Sequence, residues 1–136
     1  MDKNSMADVA IFFVRVALGV IFLAHGMQKL FGAFGGSGID GFSQMLKALG
    51  FATPIFWAWV VGLVEGVGGL FLLLGILPRV SAALIGIVMI VAIVKVHGPK
   101  GFFMMQGGFE YPFLILMACI AVLFSGGGKL SLFDRF

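Results

Sequence analysis

Four long apolar stretches, Val9–Phe31, Pro54–Leu77, Val80–Val96 and Tyr111–Phe124, alternate with short polar or glycine-rich breaks. A hydrocarbon core about 30 Å thick takes roughly 20 apolar residues in a helix, so each stretch predicts a transmembrane span, the fourth only with its interfacial ends included. None shows the alternation of a barrel strand, and a helix satisfies its own backbone in lipid. The first stretch does not read as a cleaved signal peptide. It is too long for an apolar signal core, holds Arg15 and His25, and is not followed by a small-x-small cleavage site. Pro54 and Pro112 fall in the first turns of the second and fourth spans, where a missing N–H costs nothing. Pro78 separates the second and third spans almost without a loop, which predicts an antiparallel hairpin.

The breaks carry patterns of their own. After Gly35, Gly36, Gly38 and Gly41, the residues Ile39, Phe42, Met45, Leu46 and Leu49 recur at helical spacing opposite Asp40, Ser43, Gln44 and Lys47. That predicts a short helix lying in the membrane interface and ended by Gly50. A second break, His97–Glu110, sets Phe102, Phe103, Met104 and Met105 among five glycines and prolines. It is too apolar for a solvated loop and is expected to be ordered, dipping into the headgroups or covering the helices. The reading is thus all-α: one domain over residues 1–136, an integral membrane four-helix bundle with a short interfacial helix between its first and second spans. Four crossings put both termini on one face. Lys3, Arg79, Lys129 and Arg135 lie on that face and Lys29, Lys47 and Lys100 on the other, which leans toward cytoplasmic termini.

Composition closes off the alternatives. Hydrophobic types make up 61% of the 136 residues and charged types 11%, where a soluble domain carries about 25% charged residues. Mean hydropathy is +1.16. So few charges cannot cover a soluble domain, and 16 phenylalanines exclude disorder. The net charge of +3 is scattered, with no basic cluster to hold a nucleic acid. Cys119 is the lone cysteine, which excludes an intrachain disulfide and a CxxC centre. In an apolar run it reads as a small hydrophobe.

Ionisable residues inside spans are costly and ask for a partner or a purpose. At 100° per residue, Arg15, Gly19, Phe22, Gly26 and Lys29 share one face of the first helix, with His25 at its edge. Two glycines on that face mark close packing against protein. Glu65 sits mid-span within Gly62-Leu63-Val64-Glu65-Gly66, and Gly69 prolongs the small face. Counted from the terminal side, Arg15 lies roughly 10 Å deep, Glu65 roughly 18 Å and His25 roughly 25 Å. Arg15 and His25 are therefore the partners expected for Glu65: as a structural ion pair with Arg15, or within a relay. At the other end, His25, Gln28, Lys29, Lys95, His97, Glu110 and Tyr111 gather within a few turns of one face. Each has an ordinary reading, with the lysines snorkelling, Tyr111 in an aromatic belt and Glu110 at a helix N-terminus. Together they compose a site.

Three runs of residues resemble the DoxX family of small bacterial membrane proteins: Arg15-x-x-Leu18-Gly19-x-x-Phe22-Leu23-x-His25-Gly26-x-Gln28-Lys29-Leu30-Phe31-Gly32; then Glu65-x-x-Gly68-Gly69 with Leu72-Leu73-Leu74-Gly75; then Gly101-Phe102-Phe103 with Gly107-Gly108-Phe109-Glu110-Tyr111-Pro112. They cover nearly the whole chain in order. The ending, Ser125–Phe136, matches less well. The resemblance implies a four-helix protein of the bacterial inner membrane. Family members include the membrane part of an archaeal thiosulfate:quinone oxidoreductase and proteins linked to oxidative stress and aromatic compounds. Carried over by position, it points to Arg15, His25, Lys29, Glu65, Glu110 and Tyr111.

The expected function is therefore quinone-linked redox chemistry, as a membrane oxidoreductase or its membrane subunit in redox or detoxification metabolism. His25, Glu65 and Glu110 are the candidates for proton transfer, and Arg15, His25, Lys29, His97 and Tyr111 for binding the quinone. Histidine suits both tasks because it titrates near working pH. No flavin, iron–sulfur, dithiol or metal motif is present, so electrons would come from a soluble oxidoreductase partner or a noncovalent cofactor. Haem held by His25 and His97 is the lesser reading, since paired histidines near a membrane face usually lack iron. Other readings are a non-enzymatic carrier for small aromatic compounds, an assembly subunit that docks a soluble oxidoreductase, and a homo-oligomer built on the glycine faces.

Overall fold

The computed structural model describes residues 2–134; Arg135, counted above on the terminal face, lies outside the described residues. Helix α1 spans Lys3–Phe31, starting earlier than the apolar pattern because Asp2 caps it. The Asp2 carboxylate accepts the Ser5 N–H at 2.8 Å, and that bond draws its pKa below the ordinary value. Gly32, left-handed at φ +68°, ends the helix. Helix α2 covers Gly38–Ala48 and α3 covers Pro54–Leu74, where Gly75 takes the left-handed cap and stops the span short of Leu77. Helix α4 runs Pro78–Ala92, continues as a π turn over Ile93–His97 and closes as a 3-10 turn over Gly98–Lys100. Helix α5 is Glu110–Ser125. The described residues are all-α; their one β feature is an isolated bridge between Ile76 and Phe133.

Three of these runs, Lys3–Phe31, Pro54–Leu74 and Pro78–Lys100, are long and apolar enough to cross a membrane, while α5 is a shorter apolar helix of 16 residues. The α3–α4 hairpin turns within Gly75–Leu77, as Pro78 predicted, with Leu77 held at φ +45° just ahead of the proline.

The tightest packing is between α1 and α3. A Cβ added at Gly26 would run into the backbone of Gly66, and one at Gly69 into the backbone of Phe22 and Leu23. One at Gly19 would lie 2.7 Å from the Leu73 nitrogen. The glycines chosen from helical phase therefore form a backbone-to-backbone contact. Around it, α1, α3, α4 and α5 share a core of Leu18, Phe22, Leu72, Ile85, Ile115, Cys119 and Val122. Cys119 is buried there as the small hydrophobe its surroundings suggested. Phe42 and Leu46 of α2 bury a second cluster against Ala58 of α3, so the apolar stripe of α2 faces protein.

The segment between α4 and α5 is ordered but does not cover the helices. Gly108, Phe109 and Glu110 donate their N–H groups to Phe103, Gly101 and Phe102 at 2.8–3.0 Å, folding the chain back on itself. With the backbone paired internally, the apolar side chains turn outward: Phe103 is 62% exposed and Met105 98%. The expectation of an apolar cap over the bundle is corrected accordingly.

Three expected outcomes follow from the packing and the backbone hydrogen bonds. Gly69→Val should lower unfolding stability in detergent by about 1–3 kcal/mol or more, because neither helix backbone can yield. Gly86→Ala, whose new methyl would meet Cys119 and Leu116 at an ordinary 3.7 Å, should instead raise stability by roughly 0.5–1 kcal/mol. Amide exchange in nanodiscs should be slow at Gly108, Phe109 and Glu110; exchange as fast as an unstructured loop would contradict the hydrogen-bonded reversal.

Candidate functional site

Arg15 belongs to the terminal end and is the first correction to the expected site. Its side chain is 1% exposed and donates to the Leu130 carbonyl at 3.0 Å and the Ser131 hydroxyl at 3.4 Å. Gly75 is pressed so closely against the guanidinium that any side chain there would collide with it. The chain after α5 is fixed across this end: Phe133 exchanges backbone bonds of 2.9 and 2.8 Å with Gly75 and Leu77, and Asp134 accepts the Gly127 N–H at 2.6 Å. Arg15 thus pins the C-terminal segment to α1, and it does not meet Glu65. The first turns of α1 pack beside that segment, which places Arg15 level with the end of α3 instead of some 10 Å below it.

Glu65 pairs with Lys29. The Lys29 Nζ donates to Glu65 Oε2 at 2.6 Å, with the carboxylate side chain 4% exposed and the lysine 20%. Ten residues separate Arg15 from His25 and ten separate Gly75 from Glu65, so the antiparallel helices put Glu65 level with His25. Lys29 nevertheless wins the carboxylate. It lies on the contact face, where His25 lies at the edge, and its long chain reaches back one turn. The expected Glu65–Arg15 or Glu65–His25 pair is replaced by this one, and Lys29 does not snorkel. Its ammonium also lies 5.2 Å from the centre of the Phe42 ring, tying α2 to the pair.

This pair stands in the wall of a cavity of about 780 Å³. His25 and Lys29 of α1, Glu65 of α3, Lys95 and His97 of the π turn and Tyr111 of α5 all line it, among apolar walls from every helix. Toward the α3–α4 hairpin the two helices pack closely: a Cβ added at Gly68 would lie 3.3 Å from the Ile85 side chain. Exposed Ile87 and Val91 of α4 and Trp57 of α3 stand at its rim. Phe42, Met45, Leu46 and Leu49 of α2 form another wall. Helix α2 therefore covers the cavity in the place expected for Phe102–Met105, none of which lines it.

The π turn sets the orientation of His97. One widened turn moves Lys95 and His97 out of α-helical phase, a feature common at functional sites. His97 Nδ1 lies 2.8 Å from the Gly107 carbonyl. A carbonyl only accepts, so Nδ1 carries the hydrogen and donates it. Nε2 is then the ring nitrogen left for the cavity, an acceptor in the neutral ring.

Of the residues singled out from sequence, the structure brings His25, Lys29, Glu65, Lys95, His97 and Tyr111 together in the cavity wall, and leaves out Arg15, Gln28 and Glu110. Glu110 is the first residue of α5, where its carboxylate complements the helix N-terminus. Trp57 and Phe51 join the cavity without having been singled out. Their signal was the apolar stripe of α2, which had to face something on α3.

The Lys29–Glu65 pair is open to a direct test. Lys29→Met should strand the buried carboxylate and lower stability by about 3 kcal/mol. Adding Glu65→Leu should recover most of that loss, so that the two costs are far from additive. Additive losses, or equal coupling between Arg15 and Glu65, would contradict the pairing.

Comparisons with known proteins identify the family. The DoxX family profile matches residues 10–98, which carry the Lys29–Glu65 pair, α2 and the π turn. The chain is 30% identical over 129 residues to a Bacillus subtilis protein described as "Putative oxidoreductase CatD", covering 95% of this chain and 88% of that one. It is 32% identical over 133 residues to an uncharacterized membrane protein of Mycobacterium tuberculosis, covering 90% of this chain and 77% of that one. A Haemophilus influenzae protein is 28% identical over 131 residues, covering 91% of this chain and 88% of that one. No solved structure matches. The chain is a membrane protein of the DoxX family.

Proposed function

We propose that the cavity receives a quinone-type aromatic ring from the bilayer and that the protein serves quinone-linked redox metabolism, as an oxidoreductase or as its membrane subunit. The observation that carries this reading is the cavity itself. Its volume of about 780 Å³ falls in the range of small-molecule sites, and apolar walls with a few convergent polar groups are their usual composition. In this reading α1, α3, α4 and α5 all cross the bacterial inner membrane with the termini on the cytoplasmic side, and α2 lies in the opposite interface. The gap between α3 and α4, rimmed by Ile87, Val91 and Trp57, then opens sideways to lipid, the phase in which quinones dissolve.

The polar groups suit such a ring. His25, Lys95 and Tyr111 offer donors to its oxygens, and the Lys29–Glu65 pair gives the wall a fixed dipole without a net charge. His97 and Glu65 are the groups able to take a proton. The name carried by the Bacillus subtilis relative is consistent with redox work. With no flavin, iron–sulfur or dithiol motif in the chain, the electrons are exchanged with a soluble oxidoreductase partner or a noncovalent cofactor.

Trp57 at the rim supplies the measurement. A short-chain quinone should quench its fluorescence saturably in nanodiscs, with Trp59→Phe used to isolate the signal. His25→Ala and Lys95→Met should each remove one hydrogen bond worth about 1.5 kcal/mol and weaken binding about tenfold. Unchanged affinity in both variants would overturn the ring-binding site and favour the assembly-subunit reading.

A further inference from the structure

Resting on the ring-binding reading above, we infer that the cavity is built to hold the reduced member of a quinone couple, an aromatic diol, through two acceptors: His97 Nε2 and Glu65 Oε1. The argument is one of hydrogen-bond polarity. His97 Nδ1 is spent on the Gly107 carbonyl at 2.8 Å, outside the cavity, which fixes the proton on that nitrogen and leaves Nε2 as a lone pair. The loop that supplies this carbonyl is itself held by backbone bonds from Gly108 and Phe109 to Phe103 and Gly101. The neutral ring is therefore held in one tautomer.

The second acceptor is independent of the first. Glu65 is 3% exposed, and Lys29 holds its Oε2. The other oxygen, Oε1, is an acceptor in a carboxylate paired with an ammonium. Among the described residues no donor reaches Oε1, although it belongs to a side chain in the cavity wall. Oε1 is not shut off from solvent, so its hydrogen bond comes from water or from a ligand in the cavity. A hydroxyl group on the ligand fills that need.

A quinone carbonyl does not. It carries only lone pairs, and facing His97 Nε2 or Glu65 Oε1 it would set acceptor against acceptor. Its hydrogen bonds come from Lys95 and Tyr111, which serve a hydroxyl oxygen equally well. Donors in the cavity thus fail to discriminate, while the two acceptors favour the diol. A site that hydrogen-bonds a ligand hydroxyl rejects the analogue without it far more strongly than an apolar pocket rejects a change of size.

Three ligands with one ring skeleton test this: a hydroquinone, its quinone, and its dimethyl ether, each titrated against the full chain in nanodiscs under argon at pH 8. The hydroquinone should bind at least about tenfold more tightly than the quinone or the ether. In His97→Phe, which keeps a flat ring in place, that advantage should fall to a few-fold while quinone affinity moves less than about twofold. If that variant does not fold, the order of the three ligands on the wild-type chain still decides. A quinone or ether bound as tightly as the hydroquinone overturns the inference and leaves the ring-binding site standing. Failure of all three to bind removes the site, and the inference with it.

Discussion

The direct backbone contact between α1 and α3 is the constraint from which the rest of the structure follows. Gly19 and Gly26 on one helix and Gly69 on the other let the two chains touch where any side chain would hold them apart. Such a contact leaves little freedom in register, since a shift of one residue would set a side chain where a glycine now lies against the opposing backbone. With the register set, Arg15 falls level with Gly75 and Lys29 falls within reach of Glu65. Both buried charges of these helices are accommodated by that one alignment.

The charged residues divide by end. At the terminal end Arg15 is consumed by architecture. It binds backbone and a hydroxyl of the C-terminal segment, so its charge organises polar chain that has no helix to satisfy it. At the other end, only Lys29 among the cavity cations is committed to a protein partner, and that commitment is to the neighbouring carboxylate. His25, Lys95 and Tyr111 line the cavity with no side-chain hydrogen-bond partner among the described residues, and His97 uses one ring nitrogen on the Gly107 carbonyl.

Much of this was legible from the sequence, and the failures have definite causes. Period and length located the apolar helices and the short amphipathic one to within a few residues. Helical phase selected the glycine face of α1, because glycine and ionisable residues coincide only on a side that meets protein. Depth arithmetic failed for Arg15 because it assumed that α1 and α3 begin and end in one plane. The first turns of α1 extend past α3 to receive the C-terminal segment, and nothing in the apolar pattern announces that. The Phe102–Met105 segment was misplaced for a related reason. Its composition reported that it avoids water, but not whether it turns toward the helices or away from them. Local glycine geometry decided that. The widened turn at Ile93–His97 left no mark in the pattern, and with it went the orientation of His97.

The ion pair in the cavity wall has a consequence for what the cavity can hold. The ammonium and carboxylate lie 2.6 Å apart, so that their opposite fields largely cancel a few ångströms away. An uncharged, apolar ring can therefore approach without paying to displace a counterion. At contact distance the cancellation ends, and the carboxylate oxygen turned away from Lys29 presents a full acceptor to whatever hydroxyl reaches it. The same alignment that packs α1 on α3 thus yields a wall whose charges cancel at long range, as the proposed entry of an uncharged ring from lipid requires.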